Sequence, residues 1–375
     1  MSIRVAIVHD WLTAAGGAER VLDRICRAFP QADLFTLFGD LSALPRDLAQ
    51  KHKLQTSWLQ GLPGIRRLYR GLAPLMPKAV EGLDLRGYDL VLSSSWAFAH
   101  GALADASHGA QHLAYIHSPM RWAWDMKEEY LSRTRLPMGL RQLAEQQLAK
   151  LRTWDIAAAQ RPQALLANSQ FIRERIARCW SRDASVIYPP VVLPGAAFDP
   201  PRARDPRAPY LSVCRLVGYK RVDLLVKAFA YLPDRRLWVA GDGPEMAALR
   251  RMAPPNVEFL GWVHDEEVRS LMSECKAFLQ ASREDFGISV VEAQGCGTPV
   301  LAYGRGGARE TVRGLDDPRP TGMFFETRDP EALANTIIDF ERYCFSPDDC
   351  RDQAQRFSPE VFDSALQSAV KALLS

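Results

Sequence analysis

No run of this chain approaches the roughly 18–20 consecutive apolar residues that a helix needs to cross a bilayer, so any membrane contact is expected to be peripheral. The stretch from Met1 to Trp11 has too short an apolar run for a signal peptide. The seven cysteines are scattered, odd in number and form no C-x-x-C pair. That excludes a disulfide framework and points to reduced thiols in a cytoplasmic protein. An excess of charge of one sign is nearly absent: a formal net charge of +3 is too small to indicate nucleic acid by itself. There is no D-x-D pair, no His/Cys/Asp cluster with metal-ligand spacing, no G-x-G-x-x-G, no internal repeat and no low-complexity tract. What remains is the composition of an ordinary soluble protein, 47% hydrophobic and 24% charged. Its 375 residues are enough for two domains with separate cores.

The first half alternates strand and helix signals. Strand candidates are residues 3–9, 89–93, 112–117, 164–168 and 185–188, and residues 18–29 have helical spacing through Val21, Leu22, Ile25 and Phe29. Short buried strands alternating with helices predict an α/β fold with a parallel, doubly wound sheet. Prolines then crowd residues 189–209 without periodicity, as Pro189-Pro190, Pro194-Gly195, Pro200-Pro201 and Pro206. This reads as an interdomain linker. The alternation restarts with strand candidates 210–214, 237–241, 257–260, 276–281 and 299–303. Ser358-Pro-Glu is a helix cap followed by proline at the first helical position, and Phe362, Leu366, Ala369 and Leu373 form an apolar stripe behind it. The expected division is 1–195, 196–357 and a terminal helix, 358–375. Two such open domains bind a ligand at the carboxyl ends of their strands.

The most informative segment is Glu284-Asp-Phe-Gly-Ile-Ser-Val-Val-Glu292. It reads as a loop that enters a short helix between two buried strands. Backbone N–H groups near Gly287 and Ile288 open that helix, and free amides at a helix start attract phosphate. A carboxylate accepts both hydrogens of a ribose diol. The arrangement suits a sugar nucleotide, with Glu284 toward the sugar and Glu292 toward the ribose. Arg215 and Lys220 follow a strand in Val213-Cys-Arg-Leu-Val-Gly-Tyr-Lys-Arg-Val-Asp223. Arginine forks onto two phosphate oxygens and lysine adds a mobile point charge. Gly16 and Gly17 open the first helix and let backbone approach a ligand closely. His9 and Asp10 end the first strand and either line a cleft or cap it. Asn168-Ser169 is most simply a helix cap.

The spacing of Glu284 and Glu292, with Phe286-Gly287 and Gly297-Thr298-Pro299 beside it, resembles the E-x7-E motif of the retaining nucleotide-sugar glycosyltransferases of family 4. Asp285 stands where that family often has proline, a change in loop stiffness. Arg215 and Lys220 match the family's R-x4-K segment. The resemblance implies the GT-B fold, two Rossmann-like parallel-sheet domains facing a central cleft, with the terminal helix crossing back to the first domain. It implies that Arg215 and Lys220 bind the diphosphate, faced by the glycine-rich loop at Gly16 and Gly17. Gly241-Asp-Gly-Pro244 and Phe259-Leu-Gly-Trp-Val263 look like its G-x-G-P and F-x-G-x-V elements, which puts the backbone around Val263 at the nucleotide base. His117, at the end of an apolar strand before Ser118-Pro119, would reach the donor sugar's hydroxyls. The implied catalytic set is Glu284, His117, Arg215 and Lys220. Donor binding adds Phe286, Gly287, Ile288 and Glu292.

Arg121, Trp122 and Trp124 either pave the acceptor side, where flat aromatic faces suit sugar rings, or pack as ordinary core and rim. The string from Ser118 to Asp125 resembles a subgroup of bacterial polysaccharide mannosyltransferases. The implied reaction is transfer of mannose from GDP-mannose to a lipid-linked glycan in polysaccharide biosynthesis, with retained configuration, at the cytoplasmic face of a membrane. A UDP-sugar transferase, an epimerase or a non-catalytic nucleotide-sugar-binding protein on the same fold are the alternatives. No cofactor and no metal are expected, because Arg215 and Lys220 can do a divalent ion's work. Residues 58–80 combine Arg66, Arg67 and Arg70 with apolar side chains. They either settle on an anionic membrane surface or form a solvated face, and a second basic stretch lies at residues 133–152.

Overall fold

Val5–His9, five consecutive buried residues, make β1, an interior strand of the first sheet. The computed structural model describes residues 3–14, 16–127, 138–195, 198 and 205–375. Around β1 lie β2 (Asp33–Thr36), β3 (Leu54–Thr56), β4 (Leu90–Ser95), β5 (Gln111–Ile116), β6 (Ala164–Ala167) and β7 (Ser185–Val186). All pair in parallel in the order β3-β2-β1-β4-β5-β6-β7. Strands buried on both faces read as unbroken apolar runs, which is why β1 and β5 are legible in sequence.

The second sheet repeats the design with β8 (Tyr210–Val213), β9 (Leu237–Ala240), β10 (Val257–Gly261), β11 (Phe278–Gln280), β12 (Val300–Tyr303) and β13 (Gly322–Phe325). Its order is β10-β9-β8-β11-β12-β13, again all parallel. In each sheet the strand order reverses once, between β1 and β4 and between β8 and β11. Ligands of open α/β sheets bind at the carboxyl ends of the strands beside such a reversal.

The chain divides into two compact units, Met1–Pro190 with Phe362–Ser375, and Val191–Val361. The division falls ahead of the expected 195. Val191 is fully buried and donates its backbone N–H to Phe357 O at 2.9 Å, so it already belongs to the second unit. Residues 196–197 and 199–204 of the expected linker lie outside the described residues. The helix Pro359–Leu374 runs into the first unit, where Phe362, Leu366 and Val370 are buried among Val5, Ile7, Leu22 and Tyr115. Asp363 pairs with Arg24 of the helix Gly17–Ala28.

Candidate functional site

Because β8 and β11 are neighbours, the segments that leave their carboxyl ends meet. Arg215 follows β8, Lys220 ends the short turn Gly218–Lys220, and Glu284 follows β11. Lys220 Nζ lies 2.7 Å from Glu284 Oε1, and Ser282 Oγ donates to the same oxygen. Burial by itself would push the Lys220 ammonium down. The carboxylate of Glu284, with smaller help from Tyr219 and Cys214, outweighs it and holds the lysine above its ordinary pKa. The lysine therefore stays charged at neutral pH. Cys214, beside it, is pushed up to about 11, first by burial, so it is an unreactive thiol. Arg215 is exposed and makes no ion pair with any described residue.

Glycines set this geometry by close approach. Gly241, at φ +125°, and Gly243 press on the Arg215 segment: a Cβ on Gly241 would lie 2.0 Å from Cys214 O, and one on Gly243 2.4 Å from Leu216 O. On the other side, Gly307 donates its N–H to Glu284 O at 2.9 Å. A Cβ at Gly307 would fall 2.4 Å from Phe286 Cα and 2.7 Å from Asp285 O. Gly307→Ala should therefore displace the Glu284 loop, lower stability by roughly 1–3 kcal/mol and weaken nucleotide binding. Denaturant unfolding beside calorimetric titration with a nucleoside diphosphate checks both. Wild-type values in the two measurements would mean the loop has room that these distances deny.

Gly287, at φ +95°, caps the helix Ile288–Gly295, and Ile288 is half-buried. Glu292 is half-buried in that helix. The side chain of Phe286 turns inward, 3% exposed and 5.2 Å ring to ring from Phe357, so only its backbone is available to a ligand. Val263 follows β10, partly buried, between Trp262 and His264, whose rings meet edge to face at 4.3 Å.

In the first unit, Gly16 caps the helix Gly17–Ala28 in extended conformation without a side-chain cap. Asp10 is fully buried and accepts from four backbone N–H groups, those of Trp96, Ala97, Phe98 and Ala99, at 2.6–3.0 Å. It is an anchor for the turn after β4. His9 and His117 flank Ser94: His9 Nδ1 is 3.1 Å and His117 Nε2 2.9 Å from its Oγ. His117 retains 9% exposure. Burial first, then the neighbouring His9, lowers it to about 3. The turn after His117 is held by buried Arg175, which reaches Ser118 Oγ at 2.6 Å and Asp125 at 2.7 Å.

Trp124 donates its indole N–H to buried Asp155 at 2.8 Å, and Trp180 donates to the same oxygen at 2.7 Å. Trp122 packs partly buried against Phe98, and Arg121 is half-buried. Arg66, Arg67 and Arg70 are exposed; Arg66 pairs with Asp40. Among the described residues, no group of three or more His, Cys, Asp or Glu side chains is placed to hold a metal ion. Ser282, Ser94 and Arg175 were not legible as site residues. Isolated serines carry no spacing signal, and Arg175 looks like one more basic residue on a helix.

Residues 15–193 match the family described as Glycosyltransferase Family 4, and residues 197–357 match Glycosyl transferases group 1. Among curated relatives, a GDP-mannose-dependent monoacylated alpha-(1-6)-phosphatidylinositol monomannoside mannosyltransferase of Corynebacterium glutamicum is 34% identical over 33% of this chain and 35% of its own length. A GDP-mannose-dependent alpha-(1-6)-phosphatidylinositol monomannoside mannosyltransferase of Mycolicibacterium smegmatis is 30% identical over 46% and 51%. A D-inositol 3-phosphate glycosyltransferase of a Mycobacterium strain is 30% identical over 68% and 65%. The chain thus spans from about one third to just under two thirds of these relatives. Among solved structures, Anabaena HepE in complex with UDP and glucose superposes with TM-score 0.69 at 19% identity over 99% of this chain and 100% of that one. The lipopolysaccharide outer core galactosyltransferase WaaB superposes with TM-score 0.66 at 17% identity over 99% of each. Both show the fold.

Proposed function

We propose a specific activity for this chain, which belongs to the family 4 glycosyltransferases and has their GT-B fold of two parallel-sheet α/β domains: transfer of mannose from GDP-mannose to a lipid-linked glycan, with retained configuration and without a metal. The observation that carries it is the cationic pair Arg215 and Lys220 at the strand-order reversal of the second sheet, with Lys220 locked to Glu284 at 2.7 Å. An ammonium has three donors. One is spent on Glu284, and the others serve a diphosphate. As the glycosidic bond breaks, charge builds on that diphosphate, and fixed cations lower the barrier electrostatically. The amides opening the helix at Gly287 and Ile288 add to this. Glu292 takes the ribose and the backbone at Val263 the base, and the family resemblance assigns Gly16, Gly17 and His117 to the donor as well. Mannose and guanine are favoured by the mannosyltransferases among the relatives. Arg121, with the exposed parts of Trp122, is assigned to the acceptor. Trp124 has its indole committed to Asp155 and contributes by holding that segment.

Donor hydrolysis measured with GDP-mannose and with UDP-sugars, with and without a chelator, tests the reading. GDP-mannose should turn over fastest and the chelator should change nothing. Glu292→Ala should raise the donor KM by an amount equivalent to roughly 1.5–3 kcal/mol. Faster turnover of a UDP-sugar would replace the donor, and a wild-type KM in the variant would remove Glu292 from the ribose.

The acceptor's lipid suggests where the protein works. Among the described residues, no helix is long and apolar enough to cross a membrane. Trp58, Leu68 and Leu75 are nevertheless exposed in the same stretch of chain as the exposed Arg66, Arg67 and Arg70. Apolar and basic side chains on one surface favour anionic lipid, each basic residue by about 1 kcal/mol. Arg66 contributes less because Asp40 partly neutralises it. Replacing all three arginines with glutamate should abolish sedimentation with anionic vesicles at low salt while donor hydrolysis stays near normal. Wild-type sedimentation would make this a solvated face.

A further inference from the structure

The buried polar groups behind His117 form a chain that nothing above uses. Ser94 is fully buried on β4, His9 is fully buried at the end of β1, and Glu19 lies in the first turn of the helix Gly17–Ala28 with its side chain 13% exposed. His117 Nε2, Ser94 Oγ and His9 Nδ1 are linked at 2.9 and 3.1 Å. The far nitrogen of His9, Nε2, is buried with no hydrogen-bond partner, and Glu19 Oε1 stands 3.6 Å from it.

A hydroxyl has a single hydrogen. Two ring nitrogens on one Oγ therefore cannot both receive it: at least one ring donates to Ser94, and if either ring accepts from it the other must donate. The tautomers of His9 and His117 are coupled. Glu19 breaks the tie. A carboxylate oxygen repels a nitrogen lone pair and attracts an N–H, so His9 carries its hydrogen on Nε2. His9 Nδ1 then accepts from Ser94, and Ser94 accepts from His117 Nε2–H. That leaves a lone pair on His117 Nδ1.

We propose that Glu19, His9 and Ser94 are positioning residues that fix the tautomer of His117, so that its Nδ1 accepts a hydrogen bond from a hydroxyl of the bound sugar. The inference rests on the assignment of His117 to the donor made above. It gives that residue a polarity: the ring is an acceptor, and the sugar hydroxyl it meets is a donor. Burial keeps His117 neutral at physiological pH, as an acceptor must be. It also accounts for a glycine at position 16, where a Cβ would come 2.9 Å from Glu19 Oε2.

The test is the ring nitrogen spectrum of the full chain labelled with 15N-histidine, with His117 assigned from His117→Gln. His117 should show a protonated Nε2 and an unprotonated Nδ1. In Glu19→Gln the neutral amide can serve either polarity. The Nδ1–H form of His117 should then become populated, and donor turnover should fall about tenfold, the scale of one mispolarised neutral hydrogen bond. In Ser94→Ala the chain is cut, and adding Glu19→Gln should no longer change the His117 signal. A protonated Nδ1 in the wild type, or a His117 tautomer indifferent to Glu19→Gln, overturns the relay. His117→Ala separates the two levels. If it turns donor over like the wild type, the donor assignment fails even with the expected tautomer, and the functional half of the proposal falls with it. If it is inactive while the tautomer is wrong, only the relay fails.

Discussion

Lys220→Ala should cut turnover by about two to three orders of magnitude, the scale on which removing one preorganised electrostatic donor acts. Three observations make the effect large. The lysine sits at the strand-order reversal, it is only 19% exposed, and its pairing with Glu284 keeps it charged. Without it, Glu284 loses its cation but keeps the Ser282 hydroxyl, so the fold should survive with a modest loss of stability. Arg215→Ala should slow turnover comparably with no loss of stability, because Arg215 is exposed and supports no ion pair among the described residues. Single-turnover rates at saturating GDP-mannose, read beside unfolding midpoints, separate chemistry from folding. Recovery of full activity on adding magnesium would show that a metal carries the diphosphate instead.

Acid should begin to destabilise the first unit at about pH 6.5, before its carboxylates protonate. His112 and His117 both lie near pKa 3 in the fold, His112 through burial first and then the charges of His100 and Arg161. An unfolded histidine titrates at about 6.5. Both folded values are depressed, so between about pH 6.5 and 3 the unfolded chain binds protons that the folded chain does not. Stability is complete above that window and falls as pH drops through it, by up to about 3 kcal/mol per pH unit for the two groups. Over the whole window the two groups remove about 9 kcal/mol, so a fold near the low end of the typical roughly 5–15 kcal/mol reaches its midpoint at about pH 4.5 and a more stable one only loses stability. Urea midpoints followed by circular dichroism at several pH values should show the slope, and His112→Gln should halve it. A flat profile between pH 6.5 and 5 would mean these rings reach water in the fold.

Much of this architecture is legible in the chain, and the gaps have physical causes. Strands β1, β5, β8 and β12 are covered on both faces and stand out as apolar runs. β3, Leu54-Gln55-Thr56, is half-buried to exposed at the sheet's edge, β2 opens on Asp33 and β13 on Gly322, so none of them opens on the buried apolar residues that begin β8 and β12. Glu284 and Lys220 could be picked out by residue type and spacing, yet nothing in their spacing says that they pair. Asp10 could equally have been a ligand-facing carboxylate. Only the turn Trp96–Ala99, distant in sequence, shows where its four hydrogen bonds come from. The same holds for Ser93-Ser94-Ser95. Three serines in a row carry no signal of a partner, and in the fold each meets a histidine from elsewhere: His112, His117 and His100.

The helix Pro359–Leu374 carries a consequence for biosynthesis. The core of the first unit includes Phe362, Leu366 and Val370, yet a ribosome makes all of Val191–Val361 between Pro190 and those residues. At 5–20 residues per second the delay is about 10–30 s. Throughout it the nascent first unit presents an uncovered apolar groove beside Val5, Leu22 and Tyr115. During that interval a chaperone has a defined place to hold, and a stop codon just before Phe362 would make the exposure permanent.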